Sequence, residues 1–139
     1  MRAIGLDLGS RTLGVAISDT MGMLASPIGT YKLEENNLQM ALSYVKMLIE
    51  EQPIQTIVLG LPKNMDGSVG FQGQYTLQFK EMLEGEFDQP VVLIDERLTS
   101  KMANQGMIRA DYSRKKRKTK VDTIAASIIL QSYLDSIKK

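Results

Sequence analysis

The opening segment constrains the fold more than any other part of this chain. In Ala3-Ile4-Gly5-Leu6-Asp7-Leu8 a large apolar residue stands at every second position, the pattern of a β-strand with two unlike faces. Ile4, Leu6 and Leu8 fall on one face; Ala3, Gly5 and Asp7 fall on the other. Thr12–Ser18 alternates likewise, with Leu13, Val15 and Ile17 opposite Gly14, Ala16 and Ser18, and Gly9-Ser10-Arg11 between the two strands is a natural hairpin turn. Such a hairpin fills a core with one face. Its small-residue face leaves an open patch around Asp7 where a backbone or a metal can approach closely.

Further along, an apolar segment over residues 24–31 carries Pro27, which predicts an edge strand. Leu38, Ala41, Leu42, Val45, Leu48 and Ile49 recur at helical spacing and predict a helix over 37–51. A buried strand follows over 54–61, bracketed by Pro53 and Pro62. Residues 63–73 read as a loop leading into a helix over 75–83, and 91–94 as a short strand after Pro90. A helix starting near Thr99, a loop holding the basic residues 114–120 and a final helix over 121–137 complete the chain. An antiparallel meander followed by βαβ crossovers implies an α/β fold with a mixed five-stranded sheet and helices on both faces. Ligands in such folds lie beyond the carboxyl ends of the parallel strands. The length of 139 residues suits one domain, 1–139, and the 43% apolar content can fill its core. The longest apolar run falls far short of the roughly 18 residues of a membrane span, and no signal-peptide pattern opens the chain. These features predict a soluble cytoplasmic protein without a membrane partner.

The chain contains neither Cys nor His. Disulfides, thiolate metal sites, cysteine nucleophiles and Ser-His-Asp triads are excluded. Catalysis would rest on carboxylates, lysines, hydroxyls or an oxygen-liganded metal such as Mg²⁺ or Mn²⁺. Three acidic positions stand out. Asp7 lies in a strand interior, where Asp is disfavoured, although it could also start the turn at Leu8-Gly9-Ser10. Asp95-Glu96-Arg97 follows a strand at its carboxyl end; adjacent side chains point to opposite faces, so one of the two acids enters a given site, and the spacing does not say which. Asp122 stands above Ala126 and Ile129 on a nearly all-apolar helix, which aims its carboxylate inward, while Thr119-Lys120-Val121-Asp122 also reads as a capping box. Together, three acids at the ends of separate elements can hold divalent metal, activate a water and stabilise charge on an attacked phosphate.

The net charge of +1 argues at first against a polyanionic partner, yet it conceals a division. Residues 1–96 carry 6 basic and 13 acidic side chains, net −7, and residues 97–139 carry 11 and 3, net +8. Arg114, Lys115, Lys116, Arg117, Lys118 and Lys120 form a cationic stretch just before Asp122, suited to phosphates and to salt-dependent binding. Gly60-Leu61-Pro62-Lys63-Asn64-Met65-Asp66-Gly67-Ser68 leaves another strand end; Lys63, Asn64 and Ser68 could meet phosphate oxygens, or the stretch is a plain turn at Asp66-Gly67. Met40, Met47 and Met82 sit in helical stretches and read as core filler.

Taken together, Gly5-Leu6-Asp7-Leu8-Gly9-Ser10-Arg11-Thr12-Leu13-Gly14-Val15-Ala16-Ile17-Ser18-Asp19, the Gly60-Leu61-Pro62 to Asp66-Gly67-Ser68 loop, Asp95-Glu96-Arg97-Leu98-Thr99-Ser100, and Lys120-Val121-Asp122 with Ala125-Ala126 and Ile129-Leu130-Gln131 resemble the YqgF family of Holliday-junction-resolvase-like nucleases associated with the 5′ end of pre-16S ribosomal RNA. The resemblance spans nearly the whole chain. It implies a ribonuclease-H-like fold and metal-dependent phosphodiester hydrolysis, with Asp7, Glu96 and Asp122 as catalytic and metal-binding acids for Mg²⁺ or Mn²⁺. It also favours Glu96 over Asp95. Arg11, Lys63, Asn64, Arg97 and the basic residues of 114–120 are then the candidates for nucleic-acid binding. Related junction resolvases carry a further acid one helical turn from the position of Asp122; here those positions are Thr119 and Ala125.

The leading expectation is an endonuclease on structured RNA, processing pre-16S rRNA during ribosome biogenesis. Junction DNA is a second candidate substrate, and a non-catalytic RNA-binding ribosome-assembly factor is the alternative without chemistry. Asp7-Leu8-Gly9-Ser10 also resembles the phosphate loop of actin-like ATPases, which need two such domains around a nucleotide. Resolvase relatives pair up on two-fold symmetric junctions, so both monomer and homodimer are compatible with the sequence.

Overall fold

The computed structural model describes residues 2–96 and 114–137, with the side chains of the second segment described from Ile124 onward. Its elements are β1 (Ala3–Leu8), β2 (Thr12–Ser18), β3 (Ala25–Lys32), α1 (Leu38–Glu51), β4 (Thr56–Leu61), α2 (Phe71–Glu86), β5 (Val91–Asp95) and α3 (Arg114–Ile137). The strands form one sheet in the order β3-β2-β1-β4-β5. The meander β1-β2-β3 is antiparallel, while β4 pairs parallel with β1 and β5 parallel with β4. Pro27 lies on the edge strand β3, where its missing N–H costs no ladder bond, opposite a register shift at Val15/Ala16.

The alternation along the opening strands becomes two cores. Ile4, Leu6, Leu8, Leu13 and Val15 join Ile57 and Leu59 of β4 and pack against Ala41, Val45 and Leu48 of α1 and Tyr75, Phe79 and Leu83 of α2. Full burial of a side chain such as Phe79 or Leu83 stabilises by roughly 1.5–3 kcal/mol. On the opposite face Ala3, Ala16 and Val58 pack against Ala126, Ile129, Leu130 and Leu134 of α3. The small-residue face is thus filled by a backbone: a Cβ on Gly5 would stand 2.7 Å from Leu130 Cβ and 2.8 Å from the Ala126 carbonyl oxygen. Helices cover both faces of a five-stranded mixed sheet, as the pattern predicts.

α1 begins where Asn37 Oδ1 accepts the Met40 N–H at 3.0 Å, a side-chain N-cap. Four expectations are corrected. The helix predicted from residue 75 begins at Phe71, because Gln72-Gly73-Gln74 offers no apolar period; Gly73 is there for close packing, since a Cβ would stand 2.5 Å from Val69 Cγ1 and 2.8 Å from the Pro62 carbonyl oxygen. The basic residues 114–120, read as a loop, are the first two turns of α3. Arg and Lys are good helix formers, and the run holds no Gly or Pro. The capping box at Thr119 falls with that correction, since residues 119–122 lie inside the helix rather than at its start. Finally, Met47 is exposed rather than core filler; Met40 and Met82 are half-buried. The helix expected near Thr99, and Arg97, lie outside the described residues. Among the described residues no helix is long and apolar enough to cross a membrane.

Candidate active site

The parallel strands β1, β4 and β5 end at one edge of the sheet. There the Glu96 N–H donates to the Leu61 carbonyl at 3.1 Å, extending the β4–β5 ladder one residue past β5. The register of β5 against β4 pairs Val92 with Val58 and Ile94 with Gly60, so Ile94 shares the α3 face with Val58. Strand alternation then gives Glu96 the α3 face and Asp95 the opposite one. Asp7 shares that face through Ala3 and Gly5, and its cross-strand partner is Gly14, which interposes no side chain. Of the two neighbouring acids, the one that meets Asp7 is Glu96.

The meeting is direct. The Asp7 and Glu96 carboxyls lie within hydrogen-bonding reach of one another. Burial pushes the Asp7 carboxyl above its ordinary value of 3.8, and the bond from Glu96 offsets part of that rise. Glu96 is itself only 8% exposed. Its carboxyl lies over Gly60: a Cβ there would stand 2.7 Å from Glu96 Cδ and 2.5 Å from Ile129 Cδ1. Gly60 is therefore the residue that makes room for the acid pair, and its signal in the sequence was a lone glycine in an apolar strand.

The third acid lies on α3. That helix runs antiparallel to β1: Gln131, near its carboxyl end, accepts the Ala25 N–H at 2.9 Å, and Ala25 pairs with Ser18, whose hydroxyl accepts the Ala3 N–H. Ala126 sits over Gly5, and helical rise carries residue 122 about 6 Å toward the end of β1 that bears Asp7. The Asp122 side chain lies outside the described residues. The cationic residues 114–120 form the turns of α3 that precede it.

The remaining candidates distribute along the same edge. Arg11, in the β1–β2 turn, is ion-paired with Glu35 at 3.0 Å, both side chains exposed. Lys63 and Asn64 follow the end of β4. Asn64 belongs to a turn: its carbonyl accepts the Gly67 N–H at 2.8 Å, its Nδ2 donates to Ser68 Oγ at 3.0 Å, and Gly67 takes φ +91°. Sequence reasoning overlooked Gln72, whose Nε2 donates to the Leu8 carbonyl at 3.1 Å and ties the start of α2 to the strand end beside Asp7. Oxygen donors from separate strands, buried and brought together over glycine, are a donor set for a hard divalent cation. Among the described residues no three acids cluster, so the pair would need a further ligand.

The family model of RuvX, described as Holliday junction resolvase, matches residues 1–136. A Bacillus subtilis (strain 168) protein named "Putative pre-16S rRNA nuclease" is 50% identical over 137 residues, covering 99% of each chain. Its namesake from Geobacillus sp. (strain WCH70) is 48% identical over 136 residues, covering 98% of this chain and 99% of the relative. Among solved structures, T. thermophilus RuvC in complex with Holliday junction substrate superposes with a TM-score of 0.56 over 96% of each chain, at 11% identity. That likeness shows the fold, a ribonuclease-H-like mixed sheet flanked by helices. With the family matched along nearly its whole length, the chain belongs to the RuvX family of Holliday-junction-resolvase-like nucleases, hydrolases of phosphodiester bonds.

Proposed function

We propose that this protein is a divalent-metal-dependent endonuclease of the cytoplasm that processes the 5′ end of pre-16S rRNA. The observation that carries the proposal is the pairing of half-buried Asp7 with buried Glu96 at the carboxyl edge of the parallel strands. Two carboxyls driven together out of water are costly unless a cation compensates them. Asp7, Glu96 and Asp122 would hold Mg²⁺ or Mn²⁺. When bound, such a cation activates a water and stabilises the charge of an attacked phosphate.

The chain's own residues supply the rest. Gly60 and Gly14 leave the carboxylates unobstructed. Helix α3 is seated on Gly5 and fixes the level of residue 122 against Asp7. The cationic turns at 114–120 draw phosphates to an edge whose acids would otherwise repel them. Arg11, Lys63 and Asn64 lie on the same edge and Arg97 follows Glu96 in the chain; these would meet the backbone of the substrate.

The test is cleavage of precursor 16S rRNA in Mg²⁺. Asp7→Asn should lower the rate by at least a hundredfold; cleavage at the wild-type rate would refute the site. The family's description makes a four-way DNA junction the second substrate to assay in parallel.

A further inference from the structure

Phe71, the first residue of α2, is 80% exposed, although it sits beside an edge built for chemistry. One helical turn on, Tyr75 is 7% exposed, and its hydroxyl has no hydrogen-bond partner among the described residues. Leaving such a group dry and unpaired costs about 1–3 kcal/mol. Phe71, Tyr75 and Gln78 line an open groove of about 630 Å³ whose far wall is the loop 34–37, with Asn36 and Asn37, and the start of α1. Phe71, Gln74, Tyr75 and Gln78 line a second depression of about 380 Å³.

Both walls are anchored to the strand end that carries Asp7. Gln72 donates to the Leu8 carbonyl, and the Asn36 N–H donates to the Ser10 carbonyl at 2.8 Å, with Asn36 in the left-handed region at φ 55°. The N-terminus of α2 has Gly70 in place of a capping side chain and no acid in its first turn. Arg11 neutralises Glu35, one of the two acids on the far wall.

We propose that this groove takes an unpaired base of the RNA strand, stacked on Phe71. The inference rests on reading the chain as a nuclease acting on RNA and names how that substrate is gripped. An aromatic face accepts any base, whereas the Asn and Gln amides present donors and acceptors to its edge. A strand seated there continues past Leu8 to the acid pair. The groove therefore selects RNA that is unpaired next to the cleaved bond.

Binding measured in EDTA separates this from cleavage. A labelled single-stranded RNA oligonucleotide and the same sequence as a blunt duplex are titrated by anisotropy with wild type, Phe71→Ala and Phe71→Trp. Phe71→Ala should weaken the single strand about tenfold and change the duplex by less than about twofold. Phe71→Trp should bind like wild type, and its indole, the only one in the chain, should be quenched by the single strand and not by the duplex. Unchanged single-strand affinity in Phe71→Ala, an equal loss on both RNAs, an unquenched indole or no binding of the single strand by wild type would each overturn the proposal. A protein that loses single-strand affinity with Phe71→Ala and yet cleaves no RNA would support the groove and refute the nuclease reading. One that cleaves RNA and binds it without regard to Phe71 would do the reverse.

Discussion

Asp7 and Glu96 repel one another once both are ionised, and burial adds to the cost by holding the Asp7 carboxyl above 3.8. The folded state therefore keeps the Asp7 proton more tightly than the unfolded chain does. Stability from this group is complete below the unfolded carboxylate value and is lost as pH rises through the raised folded value. In metal-free buffer at neutral pH, Asp7→Asn should thus melt a few degrees above wild type, by on the order of 1 kcal/mol, and the gap should close as the pH approaches 3. Thermal melts across that range check it; a gap that is constant or widens on acidification would contradict the raised value. Gly60→Ala has the opposite character. Its methyl would meet Glu96 and Ile129 inside 3 Å, so it should destabilise by about 1–3 kcal/mol, seen as a lowered urea midpoint, and should abolish cleavage by displacing Glu96. Choosing between Asp95 and Glu96 was beyond strand arithmetic because Val91-Val92-Leu93-Ile94 is apolar on both faces, so no alternation marks which side is which. Pairing with β4 supplies the missing reference.

At the scale of elements, α3 does two jobs with two chemistries. Its apolar half lies on the glycine and alanine face of β1 and β2, and Gly5→Val would drive a side chain into Leu130 and the Ala126 carbonyl, at a cost of about 1–3 kcal/mol. Its first two turns crowd like charges at i, i+3 and i+4 and set cations at the positive end of the helix dipole, so on their own they disfavour the helix. A polyanion relieves both penalties. Replacing Lys116, Arg117 and Lys118 with Gln should lower RNA affinity and reduce the slope of log K against log salt by about 2, with the Tm in protein alone unchanged or raised. Affinity measured at several salt concentrations checks this; an unaltered slope would remove the segment from the interface. Charge density made these turns look like a solvated loop, since their helicity shows in no apolar period. The opening meander was legible for the converse reason, because each of its residues reports through alternation which core it enters. The start of α2 was hidden by Gly73, a poor helix former retained for its close contact with Val69 and Pro62.

Over the whole molecule, an acidic body and a cationic carboxyl-terminal third nearly cancel in net charge. At the carboxyl edge of the parallel strands β1 contributes Asp7 and the end of β5 contributes Glu96, and helical rise along α3 carries residue 122 toward the same end. The absence of Cys and His leaves carboxylate oxygen as the natural ligand, and burial of the pair gives a cation something to compensate. Cation binding linked to stability is the most direct test of that central claim. In a Mn²⁺ titration followed by thermal melting, a three-carboxylate site predicts that wild type gains about 2.7 kcal/mol when free metal reaches a hundred times Kd, and that Asp7→Asn, Glu96→Gln and Asp122→Asn each lose most of the gain. A rise in Tm that is absent from wild type, or that the three variants share in full, would contradict it.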